Sequence, residues 1–103
     1  MKKTNINLKE LCVKLYNIAF QNKTIGIDVN LLGAKASIEF KFFNYNYDRR
    51  KKVIELISDE DDTVFTIDTT KILKCVKYEE IEGYRYNIQF DSWSADVNVM
   101  YGW

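Results

Sequence analysis

Histidine is absent from this chain of 103 residues, and so is proline. Without histidine, neither a Ser-His-Asp triad nor a Cys-His nucleophile pair can form, and zinc sites that need histidine are excluded. Only four glycines occur, and their scatter excludes a P-loop or a dinucleotide-binding fingerprint. Carboxylates are plentiful, but no spacing singles out a catalytic pair. We therefore expect a protein that is not an enzyme and that uses no cofactor or metal.

Cysteine is also scarce: Cys12 and Cys75 lie far apart and share no metal-binding or redox spacing. We expect both to be buried free thiols. No apolar run approaches the length of a membrane span, and the segment after Lys2 and Lys3 is amphipathic, unlike a signal sequence. The residue choice matches AT-rich codons. These features predict a cytoplasmic protein of a low-GC bacterium or of its phages and mobile elements.

Charge of one sign is scarce in each half of the chain. Residues 1–52 carry eleven Lys or Arg against four Asp or Glu, and residues 53–103 carry four against eleven. The resulting net charges of +7 and −7 cancel over the whole chain. This asymmetry indicates one basic and one acidic surface, and it favours a charged partner such as nucleic acid or a protein that handles it.

The first periodic segment predicts an amphipathic helix that ends near Asn22. Asn7 can cap this helix, and Glu10 stands three residues on, as in a capping box. Apolar residues at helical spacing define its buried face, which comprises Leu8, Leu11, Cys12, Leu15, Ile18 and Ala19.

From Thr24 onward the apolar residues alternate, which predicts strands. Even-numbered positions are apolar from Ala36 to Phe42 and odd-numbered positions from Phe43 to Tyr47, so we expect a bulge or sharp bend at Phe42–Phe43. Further strands are predicted over 52–57, 63–68, 71–79, 84–90 and 97–101. Short connections require antiparallel neighbours. We therefore predict one α+β domain, residues 1–103, whose helix covers a curled antiparallel sheet (a meander or half-barrel) of about six strands.

The acidic residues of the second half fall in two predicted turns. The run at 59–62 is typical of a solvated hairpin turn, and it lacks the ligand spacing of an EF-hand. Together the two turns could present a protein partner with an acidic surface that mimics phosphates. The predicted acidic contact residues are Asp59, Glu60, Asp61, Asp62, Glu79, Glu80 and Glu82.

Two further groups of residues are candidate contacts. Trp93, Tyr101 and Trp103 could form an aromatic contact for a protein, since Trp and Tyr dominate interface energetics, although terminal aromatics also dock into cores. A nucleic-acid surface is the alternative for the basic run, because cations bind phosphates and exposed rings stack on bases. Core packing would explain the rings of this patch equally well. It comprises Tyr45, Tyr47, Arg49, Arg50, Lys51 and Lys52.

No motif identifies a family. In size, codon preference and charge pattern, the chain resembles the small inhibitors that phages encode against bacterial defence, such as anti-CRISPR proteins. The resemblance implies a non-catalytic domain that blocks a partner, and it implies no site residue. We therefore expect an inhibitor that binds a nucleic-acid-handling protein of the bacterial host through its acidic surface. The alternatives are a nucleic-acid-binding domain and a sponge for a nucleotide or other small ligand, and a homodimer is compatible with each.

Overall fold

The computed structural model describes residues 2–21 and 24–101, which form one helix and nine strands. Every strand pairing is antiparallel, so the predicted α+β class is confirmed. No helix among these residues is long and apolar enough to cross a membrane. The elements are β1 (Lys2–Asn5), α1 (Leu8–Phe20), β2 (Ile25–Leu31), β3 (Ala34–Phe40), β4 (Phe43–Asp48), β5 (Val53–Ser58), β6 (Val64–Asp68), β7 (Lys74–Glu79), β8 (Gly83–Gln89) and β9 (Trp93–Met100), with a 3₁₀ turn at Thr69–Lys71.

The helix begins where the capping signal predicts. The side-chain Oδ1 of Asn7 accepts a hydrogen bond of 2.8 Å from the backbone N–H of Glu10, which satisfies a donor that the first turn would leave unpaired. Leu11, Leu15 and Ile18 are buried along one side of α1. Asn22, the predicted end of the helix, lies outside the described residues.

The prediction of a single curled sheet of about six strands is wrong, because the nine strands of the described residues form two sheets. The larger sheet has the order β1-β7-β8-β9-β2-β3, and the smaller has the order β4-β5-β6. The chain passes between them at the bend Lys41–Phe42, where the change of parity predicts one. Phe40 and Phe43 on either side of this bend are both buried. The change of parity at this bend therefore allows β3 and β4, which belong to different sheets, to bury aromatic rings in one core.

The core lies where the two sheets and α1 meet. In the larger sheet, the core includes Ile27, Val97 and Tyr86, which are neighbours on the three strands β2, β9 and β8. In the smaller sheet, it includes Ile54 and Leu56 of β5. Within the larger sheet, strands β7–β9 of the acidic half stand between β1 and β2–β3 of the basic half. The two halves of the chain are thus interleaved within the larger sheet.

The hairpin turn between β2 and β3 carries a leucine where glycine or asparagine is usual. Leu32 and Gly33 both have positive φ, at 42° and 86°, as a type I′ turn requires. The Leu32 side chain is 90% exposed and therefore contributes little packing. We expect Leu32→Asn to raise the free energy of unfolding by about 1 kcal/mol, because asparagine tolerates this conformation. Urea denaturation measures the change; equal stability of Leu32→Asn and Leu32→Val would contradict it.

Candidate protein-binding groove

Helix α1 leaves a stripe of large apolar side chains incompletely covered. Leu8, Cys12, Tyr16 and Phe20 recur at every fourth position, so they share one side of the helix. Tyr16 is 53% exposed and Phe20 is 76% exposed, whereas the adjoining core residues of α1 are buried. The sequence predicts that Leu8 and Cys12 are buried and gives no role to Tyr16 or Phe20, but Leu8 is 40% exposed and Cys12 is only half-buried. Their i, i+4 repeat beside that face was the available signal.

Strand β4 places a second row of aromatic rings beside this stripe. Phe43, Tyr45 and Tyr47 alternate on the side of β4 that pairs with buried positions of β5. Phe43 is buried, and the two tyrosines are half-buried. The ring of Tyr45 meets that of Tyr16 edge-on, with 6.0 Å between centroids, and Tyr16 stacks on Phe20 at 6.2 Å. Helix and strand are thereby joined through aromatic contacts that remain open to solvent.

Two adjoining cavities, which share Tyr45, follow this junction and together form the α1–β4 groove. The larger cavity, of about 700 Å³, is lined by Leu8, Lys9, Cys12, Tyr45, Tyr47 and Arg49. The smaller, of about 180 Å³, is lined by Tyr16, Ala19, Phe20, Phe43, Asn44 and Tyr45. A groove of this kind offers an apolar floor to an extended segment or to several side chains of a partner.

The larger cavity of the groove is mainly apolar and carries two cations, whereas the smaller cavity combines aromatic rings with the polar Asn44. Burial raises the pKa of Tyr45 well above its ordinary value, so its phenol stays neutral. Lys9 and Arg49 line the same cavity. The charge that the groove offers a ligand is therefore positive.

The predicted nucleic-acid patch is only partly assembled. Tyr45, Tyr47 and Arg49 come together in the groove, but both tyrosine rings are half-buried there. The other cations stand on the exposed turn between β4 and β5, where Asp48 Oδ1 accepts hydrogen bonds from the backbone N–H groups of Arg50 and Lys51. Lys52 closes this turn, and its carbonyl accepts a bond of 2.6 Å from the Thr69 hydroxyl. The basic run therefore extends the positive end of the groove.

The predicted acidic residues do not form one cluster. The turn with Asp59, Glu60, Asp61 and Asp62 lies beside the end of β3, since the Asp59 N–H donates to the Phe42 carbonyl. The turn that follows Glu79 lies at the same end of the larger sheet, three to four strands away, or about 14–19 Å.

The carboxylates of these turns are also partly engaged within the chain. Glu79 pairs with Lys77 at 3.3 Å, and Glu80 pairs with Arg85 at 3.4 Å. The Oδ1 atom of Asp61 accepts a hydrogen bond from the Thr63 backbone N–H, and hydrogen bonding lowers the pKa of Asp61. Glu82 lines a cavity of about 580 Å³ with Glu79 and Glu80 at the second turn. All four acidic residues of the first turn are exposed.

The predicted C-terminal aromatic contact is not assembled by the fold. Trp93 stacks on Phe90 at 4.1 Å and is half-buried, while Tyr101 is 61% exposed beside Tyr84. The two residues stand at opposite ends of β9, about 26 Å apart by strand length. Trp103 lies outside the described residues.

A separate pocket between α1 and the larger sheet is relevant to the alternative function of binding a small ligand. It has a volume of about 260 Å³ and is lined by tyrosines that include Tyr84 and Tyr86. This volume lies below the usual range for ligand sites, whereas the open cavities of about 580 Å³ and 700 Å³ fall within that range. Among residues 2–21 and 24–101, no three His, Cys, Asp or Glu side chains are grouped to hold a metal ion. Comparison of this chain with protein-family models, with curated proteins and with solved structures finds no match.

Proposed function

We propose that this protein is a non-catalytic protein-binding module, and that the α1–β4 groove holds an apolar segment of the partner flanked by carboxylates. The observation that carries the proposal is the exposure of Tyr16 and Phe20 at the smaller cavity of the groove, which adjoins the larger cavity that Lys9 and Arg49 line. The size and charge pattern of the chain support an inhibitory role, in which the bound module covers a functional surface of its partner.

The apolar part of the groove supports a protein partner. Contiguous exposed apolar surface is costly in water and marks interaction sites more often than scattered single residues do. Tyrosine and phenylalanine rings supply large contact areas with few rotatable bonds, so little conformational entropy is lost when they are covered. Leu8, Tyr16 and Phe20 together offer such an anchor site for side chains of a partner.

The basic end of the groove supports acidic residues in that partner. Lys9 and Arg49 line the cavity, and the exposed turn from Arg50 to Lys52 continues the positive charge. Carboxylates next to an apolar anchor would meet these cations at the rim, where charge mainly raises the association rate and sets the register. The association rate should therefore fall as salt concentration rises.

A protein segment fits this surface better than a nucleic acid does. Stacking of bases needs open ring faces, but the ring of Tyr45 stands edge-on to Tyr16, and Tyr47 is half-buried. Leu8 and Phe20 offer nothing to a phosphate backbone. This proposal differs from the expectation drawn from the sequence. There the acidic turns contact a protein with a basic nucleic-acid groove, whereas here the α1–β4 groove contacts an acidic segment of the partner.

Selection from random 12-residue peptides displayed on phage tests the proposal. We expect selected peptides to combine large apolar residues with Asp or Glu. The double variant Tyr16→Ala with Phe20→Ala should bind them at least about tenfold more weakly, because truncation of aromatic anchors removes most of the binding energy. The matched control is Val13→Ala, since Val13 is 48% exposed on the same helix but lines neither cavity.

Two outcomes would overturn the proposal. Selection of basic peptides that lose binding on Asp59→Lys with Glu60→Lys would place the contact at the acidic turn. Asp61 is left unchanged in that variant because its carboxylate holds the turn. Tight binding of single-stranded oligonucleotides that is lost on Arg50→Glu with Lys51→Glu would assign the basic run to nucleic acid instead.

A further inference from the structure

Strand β3 is an open edge of the larger sheet. Among the described residues it pairs with β2 alone, and every side chain from Ala34 to Ser37 is exposed. The opposite edge, β1, has four residues, and two of them are lysines, which discourage pairing with another strand. By contrast, β3 has seven residues, of which Ala34, Ala36 and Ser37 have small side chains, so its backbone is accessible over a longer stretch.

The turn geometry identifies which backbone groups of β3 are free. In a two-residue hairpin, the residues that flank the turn, here Leu31 and Ala34, exchange hydrogen bonds with each other. Hydrogen-bonded and non-bonded pairs then alternate along the strands. The N–H and C=O groups of Lys35, Ser37 and Glu39 therefore point away from β2, toward solvent.

We infer that β3 pairs with β3 of a second copy of this chain, antiparallel about a two-fold axis at Ser37. In that register Ser37 faces Ser37 of the other copy, and Lys35 faces Glu39 in both directions. Up to about six backbone hydrogen bonds form, because all three outward-pointing residues lie in hydrogen-bonded pairs. Ala36 then faces Ile38, so the half-buried Ile38 side chain is covered further.

Charge selects this register over its neighbours. Opposite charges directly across an antiparallel pair are stabilising, and like charges are destabilising. Sliding the pairing by two residues removes both Lys35–Glu39 contacts, and sliding it by four places Lys35 opposite Lys35 or Glu39 opposite Glu39. Within the described residues, neither side chain forms an ion pair in its own chain. A strand-edge contact alone is small, so a reversible dimer is expected.

The pairing is tested with variants that reverse the charge at position 35 or 39, studied singly and as a mixture. Sedimentation velocity at low salt, from about 10 µM to 1 mM protein, measures the fraction of dimer. The wild-type protein should dimerise with rising concentration, and Lys35→Glu or Glu39→Lys alone should remain monomeric. An equimolar mixture of these two variants should form dimers again, because each charged position then faces its opposite. The double variant Lys35→Glu with Glu39→Lys should dimerise like the wild type. Urea midpoints establish that every variant is folded.

Cross-linking at the axis is an independent measurement. The Cα atoms of a hydrogen-bonded antiparallel pair are about 5.5 Å apart, which lies within the range for a disulfide. With Cys12→Ser as background, Ser37→Cys should oxidise to a covalent dimer, whereas Ser94→Cys on the interior strand β9 should not. A wild type that stays monomeric at 1 mM, or a mixture of reversed variants that does not associate, would overturn the inference. Either result leaves the α1–β4 groove untouched, since β3 is not part of it.

Discussion

Replacement of Gly83 by alanine is expected to lower the free energy of unfolding by about 3 kcal/mol, with a fall in Tm of about 15 °C. Gly83 is the first residue of β8 and pairs with Met100 on β9. A Cβ atom there would overlap the carbonyl oxygen of Val99 and press on the Met100 Cα. Because both neighbours are backbone, relief requires that the β8–β9 pairing separate at this end. Thermal unfolding followed by circular dichroism measures the loss.

Gly33→Ala is the matched control for this prediction. A Cβ atom at Gly33 meets no atom within 4 Å, so its cost comes only from the positive φ of 86°, about 1 kcal/mol. Gly83→Ala should therefore be clearly the less stable of the two variants. Equal stability, or a Gly83→Ala protein as stable as the wild type, would contradict the close approach of β8 and β9.

The Cys75 thiol is expected to react with iodoacetamide about a thousandfold more slowly in the folded protein than in urea. Burial raises the pKa of Cys75 from its ordinary value of 9.0 to about 12. Each unit of pKa lowers the thiolate fraction tenfold at neutral pH, and the thiolate is the reactive form. The side chain is also only 5% exposed, which restricts access further. Mass spectrometry of a Cys12→Ser variant measures the rate without interference from the second cysteine.

The raised pKa of Cys75 also makes the free energy of unfolding depend on pH. Because its pKa is higher in the folded state, the folded protein holds the Cys75 proton more tightly than the unfolded chain does. Its contribution to stability is complete below pH 9 and is lost as pH rises toward 12. In the same Cys12→Ser background, Cys75→Ala should therefore lose less stability over that interval. Alkylation of folded Cys75 at the rate found in urea would show that the thiol is not buried.

Local features of the fold were predictable because each depends on neighbours in sequence. The Asn7 cap, the helical spacing of Leu11, Leu15 and Ile18, and the alternation along β8 are all present in the structure. The change of parity at Phe42 also located the bend. It did not reveal that the chain enters a second sheet there, because alternation is the same in either sheet.

The strand order and the assembly of the groove could not be predicted from the sequence, because both depend on pairing between distant segments. The insertion of β7–β9 between β1 and β2 separates strands that are close in sequence. Tyr45, Tyr47 and Arg49 were named as a candidate surface because they are close in sequence. Their juxtaposition with Tyr16 and Phe20 depends on how α1 packs against β4, which no local pattern specifies.

The most direct test of the α1–β4 groove as the binding surface is a titration of the uniformly ¹⁵N-labelled protein with one acidic, apolar peptide from the selection, followed by backbone amide shifts. We expect the largest shifts at Lys9, Cys12, Tyr16, Phe20, Tyr45 and Tyr47, and we expect Val13→Ala to preserve this pattern. Largest shifts at Glu60, Asp62 and Glu82, with those of α1 and β4 unchanged, would contradict it and place the contact on the acidic turns.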